Sequence, residues 1–223
     1  MKADLHIHTQ HSHDSNMTAE EIIKAAKARG LDAIAVVDHN TLKGAIEVRK
    51  KARGTGLLVI PGEEIDTESG EIIALGIKRE IEQGMSLDQA CMQVKAQGGF
   101  IIVPHPYDRF RSGIGDELRR VLKHVDAIES FNARTFLNRH NRKAESVAKD
   151  VIIPCVAASD AHFPDEIGNA YVILDCNSTG KGITAKDVFN AIRKNNAVLV
   201  TNEAGLRRYP KTLWLKLRKR IRG

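Results

Sequence analysis

Histidines and carboxylates recur at one kind of position in this chain. His6-Ile7-His8 is followed by His11, His13 and Asp14. Then come Asp38-His39-Asn40, Glu63-Glu64, His105-Pro106, Glu129 with Asn132, and Asp160 with His162. Each group stands at the C-terminal edge of a short apolar run. Imidazole and carboxylate together form a donor set for Zn²⁺, Mn²⁺ or Fe²⁺. Residues two apart in a strand point to the same side, so His6 and His8 can bind one ion, and Asp160 and His162 repeat that spacing. A lone His-x-His, or a lone buried histidine, is weak evidence for a metal. Several such segments, each closing an apolar run, form a constellation that a merely satisfied core does not require. A carboxylate such as Glu63 can bridge two ions. Paired ions about 3.5–4 Å apart share a hydroxide nucleophile and clamp phosphoryl oxygens. The chemistry expected is metal-assisted phosphoester hydrolysis.

These groups need a scaffold that brings distant strand ends together. Candidate strands are Ala3–Ile7, Ala33–Val37, Leu57–Ile60, Glu71–Leu75, Phe100–Val103, Ala127–Glu129, Ile152–Ala157, Tyr171–Leu174 and Ala197–Val200. Candidate helices are Ala19–Arg29, Leu42–Arg53, Leu87–Gln97, Asp116–Leu122, Thr135–Lys149 and Ala185–Lys194. Thr18 with Glu21, and Ser86 with Gln89, have capping-box spacing. Gly30 and Gly98 suit the left-handed residue that ends a helix. Several strands are continuous Val/Ile/Ala runs, as expected where both faces of a parallel sheet are covered. Repeated strand–helix units predict an α/β barrel or doubly wound sheet. In a barrel the C-terminal strand ends converge on one face, and the scattered segments become one site.

The 223 residues suit one domain with a substantial core. No apolar run reaches the roughly eighteen residues of a membrane span. The chemically loaded start, MKADLHIHT, reads as strand rather than signal peptide, so the expectation is a cytoplasmic protein. Cys91, Cys155 and Cys176 are odd in number and lack metal-knuckle spacing, which argues against a disulfide framework. The net charge of +6 is concentrated in the tail. Eight Lys or Arg and no acid lie between Gly205 and Gly223, so the body is slightly acidic.

The motifs resemble those of the polymerase and histidinol phosphatase (PHP) family. The matching stretches are DLHIHT at Asp4–Thr9, HDS at His13–Ser15, VVDHNT at Val36–Thr41 and PGEEI at Pro61–Ile65. They continue with VPHP at Val103–Pro106, IESFN at Ile128–Asn132 and ASDAHFP at Ala158–Pro164. They run in the family's order over about three quarters of the chain and are specific only together. The resemblance implies a distorted (β/α)7 barrel of the PHP type over residues 1–205, with two or three divalent ions. By that resemblance His6, His8, Glu63 and Asp160 hold the first ion. Glu63 bridges to a second, held also by His105 and Glu129, where the family also accepts His or Cys. Asp14, His39 and His162 hold the third, with His13 as the alternative to Asp14. Glu63, Asp160 and His162 are the expected catalytic residues. Arg134, Arg109 and Arg111 are candidates for holding a substrate phosphate, since a guanidinium binds phosphate oxygens bidentately.

The function expected is hydrolysis of a small phosphomonoester, a nucleotide or sugar phosphate, by a metal-bridging hydroxide. A 5′-end-directed nuclease is the alternative. Amidohydrolases usually have a metal-bridging lysine where this chain offers none, and the retention of every ligand position argues against a non-catalytic, metal-stabilised binding module. Residues 206–223 repeat Leu213, Leu217 and Ile221 every four residues after Pro210, a basic amphipathic helix. It is expected to dock on the barrel, to bind nucleic acid, or to lie on an anionic surface or partner.

Overall fold

The computed structural model describes residues 1–176 and 182–201. The expected basic tail helix, the domain boundary at residue 205 and Arg207 onward lie outside the described residues. Nine strands form one sheet: β1 (Lys2–Ile7), β2 (Ala33–His39), β3 (Leu58–Thr67), β4 (Gly70–Leu75), β5 (Phe100–Val103), β6 (Ala127–Asn132), β7 (Cys155–Ala158), β8 (Ala170–Ile173) and β9 (Val198–Thr201). Their spatial order is β7-β6-β5-β4-β3-β2-β1-β8-β9. The first seven curl into a nearly closed barrel. Ile7 bridges in parallel to Ala161, just past β7. The His8 N–H donates to the Ala161 carbonyl at 2.9 Å, and the Ala161 N–H to the His6 carbonyl at 3.3 Å. β8 pairs antiparallel with the start of β1, on the edge opposite β2, and β9 pairs antiparallel with β8.

This is a distorted (β/α)7 barrel, and the distortion has a definite location. β4 returns from β3 as a hairpin and pairs antiparallel with both β3 and β5. The other neighbouring pairs among the seven strands are parallel. The helices α1 (Ala19–Ala28), α2 (Lys43–Lys51), α3 (Leu87–Ala96), α4 (Leu118–Val121), α5 (Asn138–Asp150) and α6 (Ala185–Arg193) fall within or close to the expected spans. The segment near Asp116 is split into a 3-10 turn and the short α4. Thr18 and Glu21 form the full capping box of α1. Ser86 accepts from the Gln89 N–H, but the Gln89 side chain meets the Ser86 hydroxyl rather than its backbone. Thr184 and Asp187 form a second full box at α6.

Alternation along the strands builds two apolar layers. Leu5, Val37, Ile60, Ile73, Phe100, Ile102 and Val156 fill the barrel interior. Ile34, Val36 and Val59 pack outward against α1 and α2. Ile101, Val103 and Ile128 pack outward with Leu87 and Val94 of α3. Burial on both faces explains why the runs are continuous rather than alternating. Val188, Phe189 and Ile192 of α6 join the interior layer, and Phe189 stacks on Phe100 at 4.6 Å. Phe100 starts β5, so α6 seals the end of the barrel away from the polar groups. Among the described residues no helix is long and apolar enough to cross a membrane.

β3 runs seven residues further than the sequence pattern predicts, straight through Pro61-Gly62. Gly62 permits this: a Cβ there would meet the Ala74 carbonyl at 2.5 Å and the Leu75 side chain at 2.7 Å. The hairpin partner approaches too closely for any larger residue. This extension fixes which of Glu63 and Glu64 faces inward.

Candidate metal centre

The barrel interior turns from apolar to ionisable at one end. There Asp14, Glu64, Glu71, Glu129 and Asp160 lie buried with His6, His8, His105 and His162, and His39 lies at their edge. The innermost group has four converging atoms. His6 Nε2 and His8 Nε2 are 3.0 Å apart. Glu64 Oε2 is 3.3 Å from each. Asp160 Oδ1 is 3.6 Å from His6 Nε2 and 3.5 Å from His8 Nε2. Tetrahedral ligands about 2.0–2.1 Å from a zinc-like ion stand about 3.3–3.4 Å from one another. The edges among His6, His8 and Asp160, and those from Glu64 to the two histidines, scatter around that value, so His6, His8 and Asp160, with Glu64 beside them, fit a divalent cation.

Two further groups share residues with the first. His105 Nε2 is 3.1 Å from Glu64 Oε1 and 3.7 Å from Glu71 Oε2. On the other side, His162 Nε2 is 3.0 Å from Asp14 Oδ2, and His39 Nε2 is 3.7 Å from the same oxygen. His39 Nδ1 faces Glu64 Oε2 at 3.4 Å. Glu64 is therefore the carboxylate common to the first two groups, and His39 links both sides. Donor atoms lie within 4.8 Å of one another in four sets: His6, His8 and Asp160; His6, Glu64 and His105; His39, Glu64 and Glu71; and His8, Asp14, His39 and His162.

Local backbone features aim these side chains. The β1–β2 register shifts between Asp4 and Ile7. Leu5 belongs to the interior layer and Ile7 to the outer one, and His6 and His8 flank Ile7 on the inward side. A second shift, between Glu129 and Phe131 of β6, lets Glu129 and Asn132 reach the same cluster. Just past or beside strand ends, Asn40, His105 and Asp160 adopt positive φ of 55°, 57° and 54°. Such left-handed backbone costs non-glycine residues on the order of 1 kcal/mol and collects at functional sites.

Other groups hold the inner ones in place. Asp160 Oδ2 accepts from Arg111 Nη2, at a very short separation, and from Asn132 Nδ2 at 2.8 Å. Its Oδ1 has no hydrogen-bond partner and is the oxygen turned toward His6 and His8. An orphaned buried carboxylate oxygen at this point fits a cation ligand. Asp38 accepts from the Thr9 N–H at 2.6 Å, the Thr9 hydroxyl at 2.7 Å and the Ser12 hydroxyl at 3.0 Å. Ser12 Oγ in turn lies 3.0 Å from His8 Nδ1. His162 Nδ1 donates to the Asp160 carbonyl at 2.8 Å, which leaves Nε2 as its donor atom toward a metal.

Charge decides what the cluster needs. Burial opposes ionisation of Glu64 and Asp160. Even so, His6 and His39 hold the Glu64 carboxyl, and Arg111 and His6 the Asp160 carboxyl, well below the usual range. Burial also opposes a charge on His39, yet Glu64 and Asp14 raise it to about 10. Burial, then Glu64, push Glu71 up to about 8. Burial and then Arg134 push His162 down to about 3, so it stays neutral. These buried carboxylates are balanced by Arg111 and by protonated histidines such as His39, where bound divalent cations would supply the same positive charge.

The structure separates the expected residues into those it gathers and those it does not. His6, His8, Asp14, His39, His105, Asp160 and His162 come together. Glu63 does not, and this is a correction: it faces outward, where its Oε1 accepts from the Ile81 N–H at 2.7 Å. Glu64, the next residue, takes the inward place. Glu129 is also corrected. Its Oε1 lies 3.0 Å from His6 Nδ1, and its Oε2 accepts from Asn132 at 2.7 Å. Both oxygens are engaged, so it orients a ligand rather than being one. His13 lies on the rim with its side chain 57% exposed, 4.0 Å from Asp14, which leaves Asp14 as the inward member of that pair. His11 pairs outside the cluster with Glu47 at 2.9 Å. Arg111 reaches the site. Arg134 borders it, tied to Glu166 at 2.9 Å. Arg109 does not reach the cluster and lines a separate cleft. Glu71 is the member that the strand-end rule misses, because β4 is antiparallel and presents its first residues to this face.

The network has a testable weak point. Gly44, near the start of α2, leaves so little space that a Cβ would lie 1.9 Å from Asp38 Oδ2 and 2.2 Å from Thr9 Oγ1. Gly44→Ala is expected to cost about 1–3 kcal/mol of stability. Displacing Asp38 releases Ser12 and hence His8, so metal affinity should also fall about 10–100-fold. Thermal melting and metal titration of the variant check both. Wild-type values in the two measurements would remove Asp38 from the positioning role.

Comparison with known proteins adds a lineage to this geometry. The PHP domain matches residues 4–162, and a PHP-associated region matches residues 138–197. An uncharacterized protein of Methanocaldococcus jannaschii is 33% identical over 96% of this chain and 89% of its own length. A second uncharacterized protein of that organism is 38% identical over 60% of this chain and 82% of its own length. A 5′-3′ exoribonuclease of Haemophilus influenzae is 36% identical over 30% of this chain and 24% of its own. Among solved structures, a two-domain protein of Bacteroides vulgatus, described as containing a predicted PHP-like metal-dependent phosphoesterase, superposes with a TM-score of 0.77. It is 18% identical, over 98% of this chain and 69% of that one.

Proposed function

Because the chain belongs to the PHP family, we propose that its buried cluster holds two or three divalent cations, Zn²⁺, Mn²⁺ or Fe²⁺, and hydrolyses a phosphomonoester such as a nucleotide or sugar phosphate. The observation that carries this reading is the buried convergence of His6, His8 and Asp160, with Glu64 3.3 Å from both imidazoles. His105, with Glu64 and Glu71, would hold a second ion. Asp14, His39 and His162 would hold a third. Such ions, when bound, supply an activated water at neutral pH and charge to match the phosphoryl oxygens.

The chain's own groups do the rest. Glu129 and Ser12 fix the rings of His6 and His8 through their Nδ1 atoms, which holds both Nε2 atoms toward a common point. Arg111, with 16% of its side chain exposed, places a guanidinium beside Asp160 at the edge of the cluster. There it would orient phosphate oxygens. Arg134, held by Glu166, would steady the same group from the side of His162. Asp160 and His162 act in catalysis by holding ions at the reacting phosphate. The Glu63 carboxyl has no part in it.

A second reading, a 5′-end-directed nuclease, draws support from the short match to the exoribonuclease and from the basic run between Gly205 and Gly223. One assay tests both. Protein stripped with chelator and reloaded with each ion is given nucleoside monophosphates, sugar phosphates and 5′-phosphorylated oligonucleotides. Phosphate is measured in solution and chain length on a gel. Phosphate release from monoesters with intact oligonucleotides is the expected outcome. Shortened oligonucleotides with little monoester turnover would favour the nuclease. No hydrolysis of either, with fully loaded protein, would overturn the phosphoesterase reading.

A further inference from the structure

A second cleft, of about 590 Å³, opens between the loop after β5 and the start of α5. Arg109, Arg139, His140 and Lys143 line it, with Tyr107 and Asp116. No carboxylate of the metal cluster does. Three permanent cations thus face one lining acid, and the histidine has its own, the buried Asp108 at 3.7 Å from His140 Nδ1. Asp116 does little to neutralise them: its side chain is 82% exposed and 3.9 Å from Lys143 Nζ, a solvent-screened pair. Lys143 Nζ stands 4.0 Å over the ring of Tyr107, which is 7% exposed, so the ammonium rests on a fixed wall. α5 begins here with no side-chain cap at Leu137, and the positive end of its dipole adds to the same field.

The cleft is joined to the metal centre by a single turn. Arg109 and Arg111 share the 3-10 turn Arg109–Arg111. Arg111 reaches Asp160 and Asn132, whereas Arg109 lines the cleft. Two residues span at most about 7 Å. One small turn therefore sends one guanidinium to each place. Another opening beside His39 contrasts with this: Asp66, Glu80 and Glu82 line it with His11 and His13, and no Lys or Arg does. An extended anion would be drawn to the side of Arg109.

We propose that the cleft is a subsite for a second phosphate of the substrate, gripped by Arg109, Arg139 and Lys143 while the first lies at the metal centre. The proposal rests on the phosphoesterase reading for the first phosphate. It names the substrate class as a molecule with two phosphates, either a small bisphosphate or a nucleic-acid end whose next phosphodiester fills the cleft.

The test uses the metal-loaded full chain, with each ligand supplied as its non-hydrolysable phosphonate analogue, so that binding is read without turnover. Calorimetry compares sugar and nucleoside bisphosphates, and a 5′-phosphorylated dinucleotide, with the matching monophosphates. Wild-type protein should bind at least one doubly charged ligand about tenfold more tightly than its monophosphate. Arg139→Gln with Lys143→Gln should bring that ratio close to one, and Arg109→Gln alone should lower it. Arg109 and Arg139 are exposed, and melting curves check that each variant is folded. With the hydrolysable ligands the same changes should raise KM for the preferred one with little change in kcat. Preference for the dinucleotide or for a small bisphosphate tells the two sources apart, and either supports the subsite. A lost binding preference in the variants, with no turnover of any phosphoester by wild type, supports the subsite and fails the phosphoesterase reading. Equal binding of every bisphosphate and monophosphate by wild type, or a ratio unmoved in all variants, overturns the subsite.

Discussion

Glu64→Gln is expected to lower phosphate release by on the order of a thousandfold, while Glu63→Gln leaves it within about threefold of wild type. The two residues are adjacent and chemically identical, and only strand geometry separates them. Glu64 Oε2 sits 3.3 Å from both His6 Nε2 and His8 Nε2, and its Oε1 lies 3.1 Å from His105 Nε2. Gln at 64 keeps the shape but removes the charge that two ions would share. Losing one preorganised charged contact costs about 10²–10³ in rate, and a shared ligand should stand at the upper end. Glu63 Oε1 accepts a hydrogen bond from the Ile81 N–H. Gln at 63 can keep that acceptor, and burial already pushes the Glu63 carboxyl up to about 7, so a neutral side chain costs little there. Metal content measured beside activity separates the causes: Glu64→Gln should lose metal and Glu63→Gln should not. The reverse pattern would restore Glu63 as the bridging carboxylate.

Removing metal should lower the melting temperature by about 10 °C or more. Ligand that binds only the folded state adds about 4 kcal/mol at a thousand times its dissociation constant. For a chain of this size each kcal/mol moves the midpoint by roughly 2–4 °C. The structural cause is crowding. Asp14, Glu64, Glu71, Glu129 and Asp160 are packed among histidines with little water to screen them, and repulsion among them is relieved by bound cations. Differential scanning calorimetry with and without chelator, at fixed pH and protein concentration, reads the shift. Coincident curves would mean that the cluster is stable as hydrogen-bonded side chains alone, and the metal reading would be lost.

The strand-end histidines were legible because parallel strands of a barrel present their C-terminal ends on one face. His6, His8, His39, His105 and Asp160 all follow that rule, and the structure brings them together. Glu64 was not legible. Both faces of β3 are buried, so its residues carry no polar–apolar alternation to show parity. Pro61-Gly62 also reads as the end of a strand, although the strand continues to Thr67. Glu71 was hidden by the same rule that found the others, since the turn between Thr67 and Gly70 reverses the chain. Glu68-Ser69-Gly70 is the turn signal that would have revealed it. Glu129 was misassigned because a sequence does not distinguish a carboxylate that touches a metal from one that holds the histidine that does. Its partner Asn132, three residues on, settles the matter only in three dimensions.

The seam of the barrel bears on how the protein comes into being. The His8 N–H reaches Ala161, and the Asp4 carboxylate accepts from the Ser159 and Gly168 N–H groups at 3.0 and 2.9 Å, across sequence separations of 155 and 164 residues. Contacts between such remote segments are the last that a chain can afford to make, because the loop between them must already be ordered. His6 and His8 stand on one lip of the seam and Asp160 and His162 on the other. A growing chain can therefore lay down β2 to β6 and their helices with no working centre at all. The four side chains meet only as the two lips join, so competence arrives with the final closure rather than element by element.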